Sequence, residues 1–238
     1  MRLVLSLLLV LTACSAAPAD PVALIDGWRE VMRKQKSVRL DVRTEVDGKH
    51  PRTEAYAGVL HFSWMGGTPQ WDVTAHVENR YGTTDYRSMR VHDDEYLSHS
   101  DLTLPPGKEF SSMELNDALW VGTLSVELSL AQREYSPSGA FSEIDRKTVR
   151  LVEHDGDRYV FAAGGVPHSG GFTDGDVRLV VEVDDENRPV RVERSAPTVD
   201  EQTERFTAVY SQWGTAPDVL RPPQEVVAKP KDVAAQRR

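Results

Sequence analysis

The chain has 238 residues, of which 37 are acidic and 28 basic, giving a formal charge of −9. This acidic balance, without any run of five or six Lys and Arg, argues against a nucleic-acid partner, because such binding depends on neutralising phosphates. The single cysteine excludes an intrachain disulfide, so packing alone must hold the fold. The length allows one domain with a sizeable hydrophobic core.

The amino-terminal segment has the pattern of an export signal followed by a lipid anchor. After a charged start, residues 3–11 (LVLSLLLVL) are apolar apart from one serine, and the run is far shorter than the roughly 20 residues of a spanning helix. It ends in LTAC, residues 11–14, which resembles the bacterial lipobox, whose cysteine is alkylated by diacylglycerol. We predict a signal peptide over residues 1–13, lipidation of Cys14, and a lipidated tether over residues 14–19.

The alternative for this segment is an ordinary signal peptide in which the cysteine stands at the lipobox position by chance. Two acyl chains on the cysteine would anchor the protein stably, whereas one chain is marginal. We therefore expect an exported protein that is held at the outer face of the cell membrane.

The body of the chain begins with a helix and continues in strands. An N-cap aspartate, a proline and apolar residues at helical spacing predict a helix over residues 21–36. From residue 37 the period changes to two, which is typical of a half-buried antiparallel strand, and Asp47-Gly48 predicts the turn that ends it. The next predicted strands lie near residues 56–64, 71–78, 85–91 and 95–98.

The middle of the chain is less regular. The sequence LPPG at residues 104–107 predicts that sheet pairing stops there, because proline lacks a backbone donor. Residues 116–134 fit helical spacing and we favour a helix, although the alternation from Leu124 to Leu130 also fits a strand. Further strands are predicted at residues 149–153, 159–163, 177–183, 190–194 and 203–210. The polar residues 225–238 predict a disordered tail.

Several motifs behind the lipobox resemble the LolA-like half-barrel of the LppX and LprG lipoproteins of actinobacteria. The similar segments are residues 180–192 (VVEVDDENRPVRV), 210–214 (YSQWG) with Pro217, 221–223 (RPP), 91–97 (VHDDEYL) and 106–108 (PGK). Phe110 stands near the position where the family has a tryptophan. The resemblance covers about residues 20–223.

This resemblance implies an α+β fold with one domain over residues 20–224. The domain would be a strongly curved antiparallel half-barrel, with an amino-terminal helix and mid-chain helices covering its concave face. It also implies an apolar cavity on that face that can hold acyl chains.

The candidate lining of such a cavity consists of apolar residues on the predicted inner faces and on the two predicted helices. A strongly curved sheet leaves its concave side open unless large side chains fill it. The candidates are Trp28, Leu40, Val42, Leu60, Phe62, Trp71, Val73, Leu128, Leu179, Val181 and Phe206. The alternative for each of them is an ordinary packed core.

The sequence contains no pattern that favours catalysis. No serine stands in a Gly-x-Ser-x-Gly elbow, and the glycine-rich residues 164–175 lack the lysine of a phosphate loop. The seven histidines have no zinc-site spacing, and the acidic runs at residues 93–95 and 184–186 fit solvated turns. We therefore expect no enzymatic activity, no cofactor and no metal.

The function expected from these features is a monomeric, membrane-anchored lipoprotein that binds a lipid or glycolipid and carries it between membrane and envelope. The alternative is a sensor or protein-interaction lipoprotein with a closed, packed core and an envelope partner that the sequence does not name.

Replacement of the lipobox cysteine tests the anchor. We expect Cys14→Ala to release the protein from membranes or to block its processing, because the thiol that receives the diacylglycerol is gone. Membrane fractionation with immunoblotting measures both effects. Unchanged membrane retention with normal maturation would exclude the lipid anchor.

Overall fold

The computed structural model describes residues 20–62, 69–113, 141, 144–164, 175–198 and 202–235. The predicted signal peptide, Cys14 and the predicted helix at residues 116–134 lie outside these ranges. The described part contains one α-helix, α1 (Pro21–Lys34), and fourteen strands. The strands are β1 (Ser37–Asp47), β2 (Arg52–His61), β3 (Gln70–Asn79), β4 (Gly82–Val91), β5 (Asp94–His99), β6 (Leu102–Thr103), β7 (Phe110–Met113), β8 (Arg150–Asp155), β9 (Arg158–Gly164), β10 (Asp176–Val183), β11 (Pro189–Pro197), β12 (Thr203–Ser211), β13 (Val227–Ala228) and β14 (Ala234–Ala235).

Helix α1 confirms the predicted amino-terminal helix. The Asp20 carboxylate accepts a hydrogen bond from the Val22 amide at 3.0 Å and so caps the first turn. Ile25, Trp28 and Met32 are buried on one face, at the spacing that brings residues of successive turns together. The helix ends at Lys34, two residues before the predicted end, because Gln35 has extended backbone angles. Within the described ranges no helix is long and apolar enough to cross a membrane.

Twelve of the described strands form one open sheet in the order β13-β7-β5-β4-β3-β2-β1-β12-β11-β10-β9-β8. All neighbours are antiparallel except β13 and β7, which are parallel. The two ends of this order, β13 and β8, are not paired with each other, so the sheet is curved without closing into a barrel. Strands β6 and β14 pair separately.

Strand β1 lies in the middle of the sheet and sets its inner face. Its pattern of alternate buried residues confirms the predicted period of two. Val42 lies opposite Tyr56 of β2 on one side and Ala208 of β12 on the other, so the three side chains share one face. The register continues across the sheet, and the face that carries Val42 is called the inner face below.

The sequence predicted that sheet pairing stops at LPPG. This prediction is wrong, because pairing in the large sheet continues with the strand that follows. The two prolines belong to a short turn, closed by the Lys108 amide donating to the Pro105 carbonyl at 3.0 Å. Strand β7 follows directly and pairs with β5, because Phe110 is buried on the outer face against Met89 and Tyr96. Burial of these side chains restores the sheet that the prolines interrupt.

The carboxy-terminal segment also differs from the predicted disordered tail. Residues 224–226 and 230–232 form short 3-10 helices, β13 pairs with β7, and β14 pairs with β6. The reason is local burial: Val227 joins the outer cluster around Phe110, and Val226 packs against it. Two adjacent valines in a polar segment are enough to add a short edge strand.

Residues 212–228 form a carboxy-terminal strap that leaves β12 and reaches β7 at the far end of the sheet. Trp213 Nε1 donates to the Pro189 carbonyl at 2.9 Å, and the Ala216 amide donates to Ser37 Oγ at 3.2 Å. The strap thus contacts strands that lie on both sides of its starting point.

The strap continues over the outer face of β2 and β4. Ala216 and Val219 pack against Val59 and Val91 in a small apolar cluster. Arg221 pairs with Asp94 at the start of β5. The strap thus adds contacts between strands of the sheet beyond the ladders that join neighbouring strands.

Two glycines give a matched test of this packing. A Cβ at Gly58, in β2, would lie 2.7 Å from the Val73 Cα of the neighbouring strand, whereas a Cβ at Gly27, in α1, would meet nothing within 4 Å beyond its chain neighbours and the backbone of its own helix. We expect Gly58→Ala to lower the free energy of unfolding by about 1–3 kcal/mol through overpacking. Gly27→Ala should raise it by about 1 kcal/mol through helix propensity. Urea denaturation of both variants measures the difference, and equal effects would contradict this close approach of β2 and β3.

Candidate functional site

The inner face of the sheet carries one large apolar cluster. It gathers side chains from α1 and from strands on both sides of β1. Its buried members are Ile25, Trp28, Met32, Val38, Leu40, Val42, Tyr56, Trp71, Val73, Ala75, Tyr86, Leu97, Phe141, Ile144, Phe161, Ala163, Leu179, Val181, Val183, Val192, Phe206, Ala208, Tyr210 and Trp213. These side chains are buried against one another and form the main hydrophobic core of the described part of the chain.

The structure places the described members of the predicted cavity lining in this cluster. Eight of them are buried there, namely Trp28, Leu40, Val42, Trp71, Val73, Leu179, Val181 and Phe206. Leu60 and Phe62 are partly buried and pack against it, and Leu128 lies outside the described residues. The alternation therefore identified the inner face of the sheet. Val42 and Val181 are each 0% exposed, so the structure holds them against other side chains.

Trp28 fixes the helix on the inner face. Its ring meets Tyr159 edge-on at 5.1 Å and Phe161 edge-on at 5.8 Å between ring centroids, and Phe141 stacks at 6.3 Å. The indole Nε1 donates to Asn187 Oδ1 at 3.1 Å, which satisfies the polar edge of a fully buried ring. One side chain thus connects α1, β9 and the turn between β10 and β11.

Sequence reasoning missed several aromatic members of this site. Tyr159 and Phe161 alternate in a strand that had been predicted, so the same period-two argument could have placed them on the inner face. Tyr56 and Tyr210 also alternate with exposed neighbours and face Val42 and Leu40 respectively. Phe141 gives no such signal, because it stands in no periodic segment.

A buried ion pair interrupts the apolar inner face. Arg194 Nη2 donates to Glu204 Oε1 at 2.9 Å, and the two side chains are only 3% and 13% exposed. The guanidinium carbon lies 5.0 Å from the centre of the Phe206 ring, a cation–π contact. A buried charge is strongly unfavourable without a partner in good geometry. Arg194 and Glu204 therefore depend on each other in this sheet.

Two hydroxyl groups of the inner face are buried without a hydrogen-bond partner in the described part of the chain. They are Thr44 Oγ1 and the Tyr210 hydroxyl. Burial raises the pKa of Tyr210 above its ordinary value, and the charge of Arg194 opposes only part of this rise. Thr44 and the Arg194–Glu204 pair lie at one end of the inner face, whereas Tyr210 lies opposite Leu40, on the other side of Val42.

The acidic runs that the sequence assigned to turns have structural partners. Asp184 accepts hydrogen bonds from the Arg188 amide at 2.9 Å and the Glu186 amide at 3.0 Å, and it pairs with the Arg188 guanidinium. Burial alone would raise the pKa of Asp184, but these bonds outweigh it and the pKa is lowered. Among the described residues no group of three or more His, Cys, Asp or Glu side chains could hold a metal ion.

The structure of this chain is similar to solved structures of other proteins. LprF from Mycobacterium bovis matches with a TM-score of 0.51 at 10% identity, covering 87% of this chain and 99% of that protein. A LolA superfamily protein from Nitrosomonas europaea matches at 11% identity over 85% of this chain and 96% of its own, with a TM-score of 0.28. A DUF1329 family protein from Desulfovibrio piger matches at 10% identity over 83% and 93%, with a TM-score of 0.25.

The last two scores are too low to establish a shared fold by themselves. No protein-family model matches the sequence, and no curated protein matches it significantly. The likeness to LprF confirms, at the level of the fold, the LolA-like half-barrel that the sequence motifs resembled.

The buried tyrosine hydroxyl gives a pH-dependent test of the inner face. The unfolded state loses the tyrosine proton above about pH 10, while the native state retains it because its pKa is raised. The contribution of the Tyr210 proton to the free energy of unfolding is therefore complete below pH 10. It is lost as the pH rises further, by up to about 1.4 kcal/mol per pH unit. In Tyr210→Phe this loss is absent, so we expect a smaller fall in the free energy of unfolding between pH 8 and pH 10.5 than in the wild type.

Urea denaturation at the two pH values measures this difference. At pH 8 the variant should be at least as stable as the wild type, because the removed hydroxyl has no hydrogen bond among the described residues. An identical pH dependence in both proteins would mean that the hydroxyl is accessible to solvent.

Proposed function

We propose that this protein is an exported, membrane-anchored envelope lipoprotein that binds the acyl chains of a lipid or glycolipid against the inner face of its half-barrel. The observation that carries the proposal is the continuous apolar inner face of an open sheet. The likeness of the fold to LprF and the lipobox at Cys14 support it. Carriage of the lipid between membrane and envelope, as a monomer and without any catalytic step, completes the proposal.

Burial is the physical mechanism of such a carrier. Transfer of acyl chains from water to an apolar surface is favourable by about 25 cal/mol per Å². The ligand needs no bond formation, so release requires only a competing apolar environment such as a bilayer. Because β13 and β8 do not pair, the mouth of the sheet can widen without breaking a ladder between them.

Helix α1 is a suitable cover for this surface. Its contacts with the inner face are made by Ile25, Trp28 and Met32, while the rest of the helix is exposed or half-buried. A cover held by a few large side chains can shift as one body and let acyl chains replace its contacts.

The second candidate is a sensor or interaction lipoprotein with a permanently closed core. One observation favours it: the buried candidate lining residues are between 0% and 7% exposed. In such a protein the outer face and the strap would contact an envelope partner. The two candidates differ in whether the inner face accepts added volume.

Bulky substitutions on the inner face distinguish the two candidates. In the carrier, Val42→Trp and Val181→Trp should reduce the lipid bound to the protein with little loss of stability, because the indole fills space that the ligand would take. In a closed core the same changes should lower the free energy of unfolding by about 1–3 kcal/mol or more. Val209→Trp is the matched control, since Val209 is 39% exposed on the outer face of β12.

The measurement is native mass spectrometry of the chain from Ser15 onward, exported without its anchor, combined with organic extraction and thermal denaturation. A discrete lipid near stoichiometric amount in the wild type, reduced in both inner-face variants but not in the control, is the expected result. A protein that purifies empty and takes up no added phospholipid would refute the carrier. Unchanged lipid uptake in both variants would mean that other residues line the binding surface.

A further inference from the structure

Positive charge is concentrated on one flank of α1. Asp26, Arg29 and Arg33 follow one another at intervals of three and four residues, so they lie on one stripe of the helix. Arg146, in the segment that leads to β8, pairs with Asp26 on this stripe. We call Arg29, Arg33 and Arg146 the basic flank of α1. Neither the apolar cluster nor the predicted site residues account for it.

The three guanidinium groups of the basic flank are close enough to influence one another. Burial lowers the pKa of Arg29, and the charges of Arg146 and Arg33 lower it further, while the charge of Asp26 opposes them. Arg29 Nη2 donates to the Phe141 carbonyl at 3.3 Å and is held in place, whereas Arg33 and Arg146 are exposed. Like charges in this proximity repel one another, so an anion bound at the flank is favourable.

The acidic residues around the basic flank are too few to neutralise it. Helix α1 and residues 144–150 together contain six basic and three acidic residues, in a chain whose formal charge is −9. Asp26 has Arg146 as its partner, and Arg33 has no acidic partner among the described residues. A local excess of positive charge on an acidic protein indicates an anionic partner.

Exposed arginines on the outer face of the sheet are arranged differently. Three of them each have a carboxylate of their own, in the pairs Arg43–Glu45, Arg191–Glu193 and Arg205–Asp47. Their charges therefore cancel locally. The basic flank differs from this pattern because three guanidinium groups surround one carboxylate.

The basic flank lies near the end of the large sheet that β8 forms. Arg146 precedes β8 by four residues, and β8 is the last strand in the order. Trp28, the neighbour of Arg29 in α1, packs against Tyr159 and Phe161 of β9, the strand next to β8. A surface that contacts the basic flank is therefore close to this open edge.

Under the proposed function, the lipid anchor keeps α1 close to a membrane. Pro21 follows Cys14 by seven residues, and seven residues span at most about 25 Å even when they are fully extended. Helix α1 has 14 residues, which corresponds to a length of about 21 Å. The basic flank can therefore reach the surface of the bilayer that holds the anchor.

We propose that the basic flank of α1 binds the anionic phospholipid headgroups of the membrane surface and so turns α1 and the β8 edge toward the bilayer. Guanidinium groups bind phosphate oxygens through two parallel hydrogen bonds, and basic residues near an anionic surface are attracted to it over about a Debye length. In this orientation the helix that covers the inner face lies beside the bilayer. The inference rests on the proposed function for the anchor and adds to it how the domain is oriented.

The test uses the mature lipoprotein, purified in a nonionic detergent and incorporated into vesicles. One vesicle type is phosphatidylcholine alone, and the other contains about 30% phosphatidylglycerol, which gives the surface a negative potential. A fluorophore on Gly27→Cys, an exposed position of α1 away from the basic flank, measures the distance to the bilayer by energy transfer to a labelled lipid. Cys14 is acylated in this protein and does not react with the label.

The variants change the same net charge at two places. The test variant is Arg33→Gln with Arg146→Gln, which leaves the half-buried Arg29 in place. The control is Arg43→Gln with Arg205→Gln, whose side chains are 57% and 55% exposed on the outer face. Thermal denaturation of both variants checks that the fold is retained.

The expected result is stronger energy transfer in the wild type on vesicles with phosphatidylglycerol than on phosphatidylcholine alone. Added salt should abolish this difference, because it screens exposed charges. The test variant should lose the difference at low salt, and the control variant should keep it. The salt dependence of the wild type tests the attraction even if the test variant is less stable.

The other outcomes separate this inference from the proposed function. Equal energy transfer on both vesicle types, or an equal loss in both variants, would overturn the role of the basic flank while the anchor stands. A purified chain without an acyl group in its mass spectrum that still sediments with phosphatidylglycerol vesicles through Arg33 and Arg146 would overturn the anchor and support the flank. A chain that sediments with neither vesicle type would overturn both.

Discussion

The structure depends on one constraint: a sheet that curves without closing has an inner face that its own strands cannot fully bury. In a closed small barrel, strands on opposite sides fill the interior with one another's side chains. Here β13 and β8 end the strand order without meeting, so part of the inner face must be covered by other elements. Helix α1 is one such cover, and Trp28 attaches it through contacts with β9 and the β10–β11 turn. Under the proposed function, binding of acyl chains requires α1 to move away from this apolar surface.

The strap has the opposite effect on the same open sheet. It runs from β12 to β7 and is bonded to the strands on both sides of β12, through Ser37 of β1 and Pro189 of β11. A sheet with two free ends would otherwise twist or splay easily, since nothing but the ladders holds its halves together. The outer face is therefore restrained while the inner face keeps its separate cover.

The apolar part of the inner face lies between ion pairs at its two ends. The Arg194–Glu204 pair lies beside Thr44 and Val46 at one end. At the other end Arg90 lies opposite Trp71 and pairs with Glu95 at 3.2 Å. Arg194 neutralises the buried Glu204, so this carboxylate can lie at the edge of an apolar cluster.

The sequence by itself determined the elements and their inward faces. Period-two alternation in β1 requires Leu40 and Val42 to share a side, and Asp20-Pro21 begins a helix wherever it stands, because these effects act over a few residues. Only the tertiary structure decided which distant segments meet. Val227 joins Phe110 and Arg194 meets Glu204 through strand pairing. Burial of Arg194 depends on the partner that cross-strand register supplies, and no local pattern encodes that register.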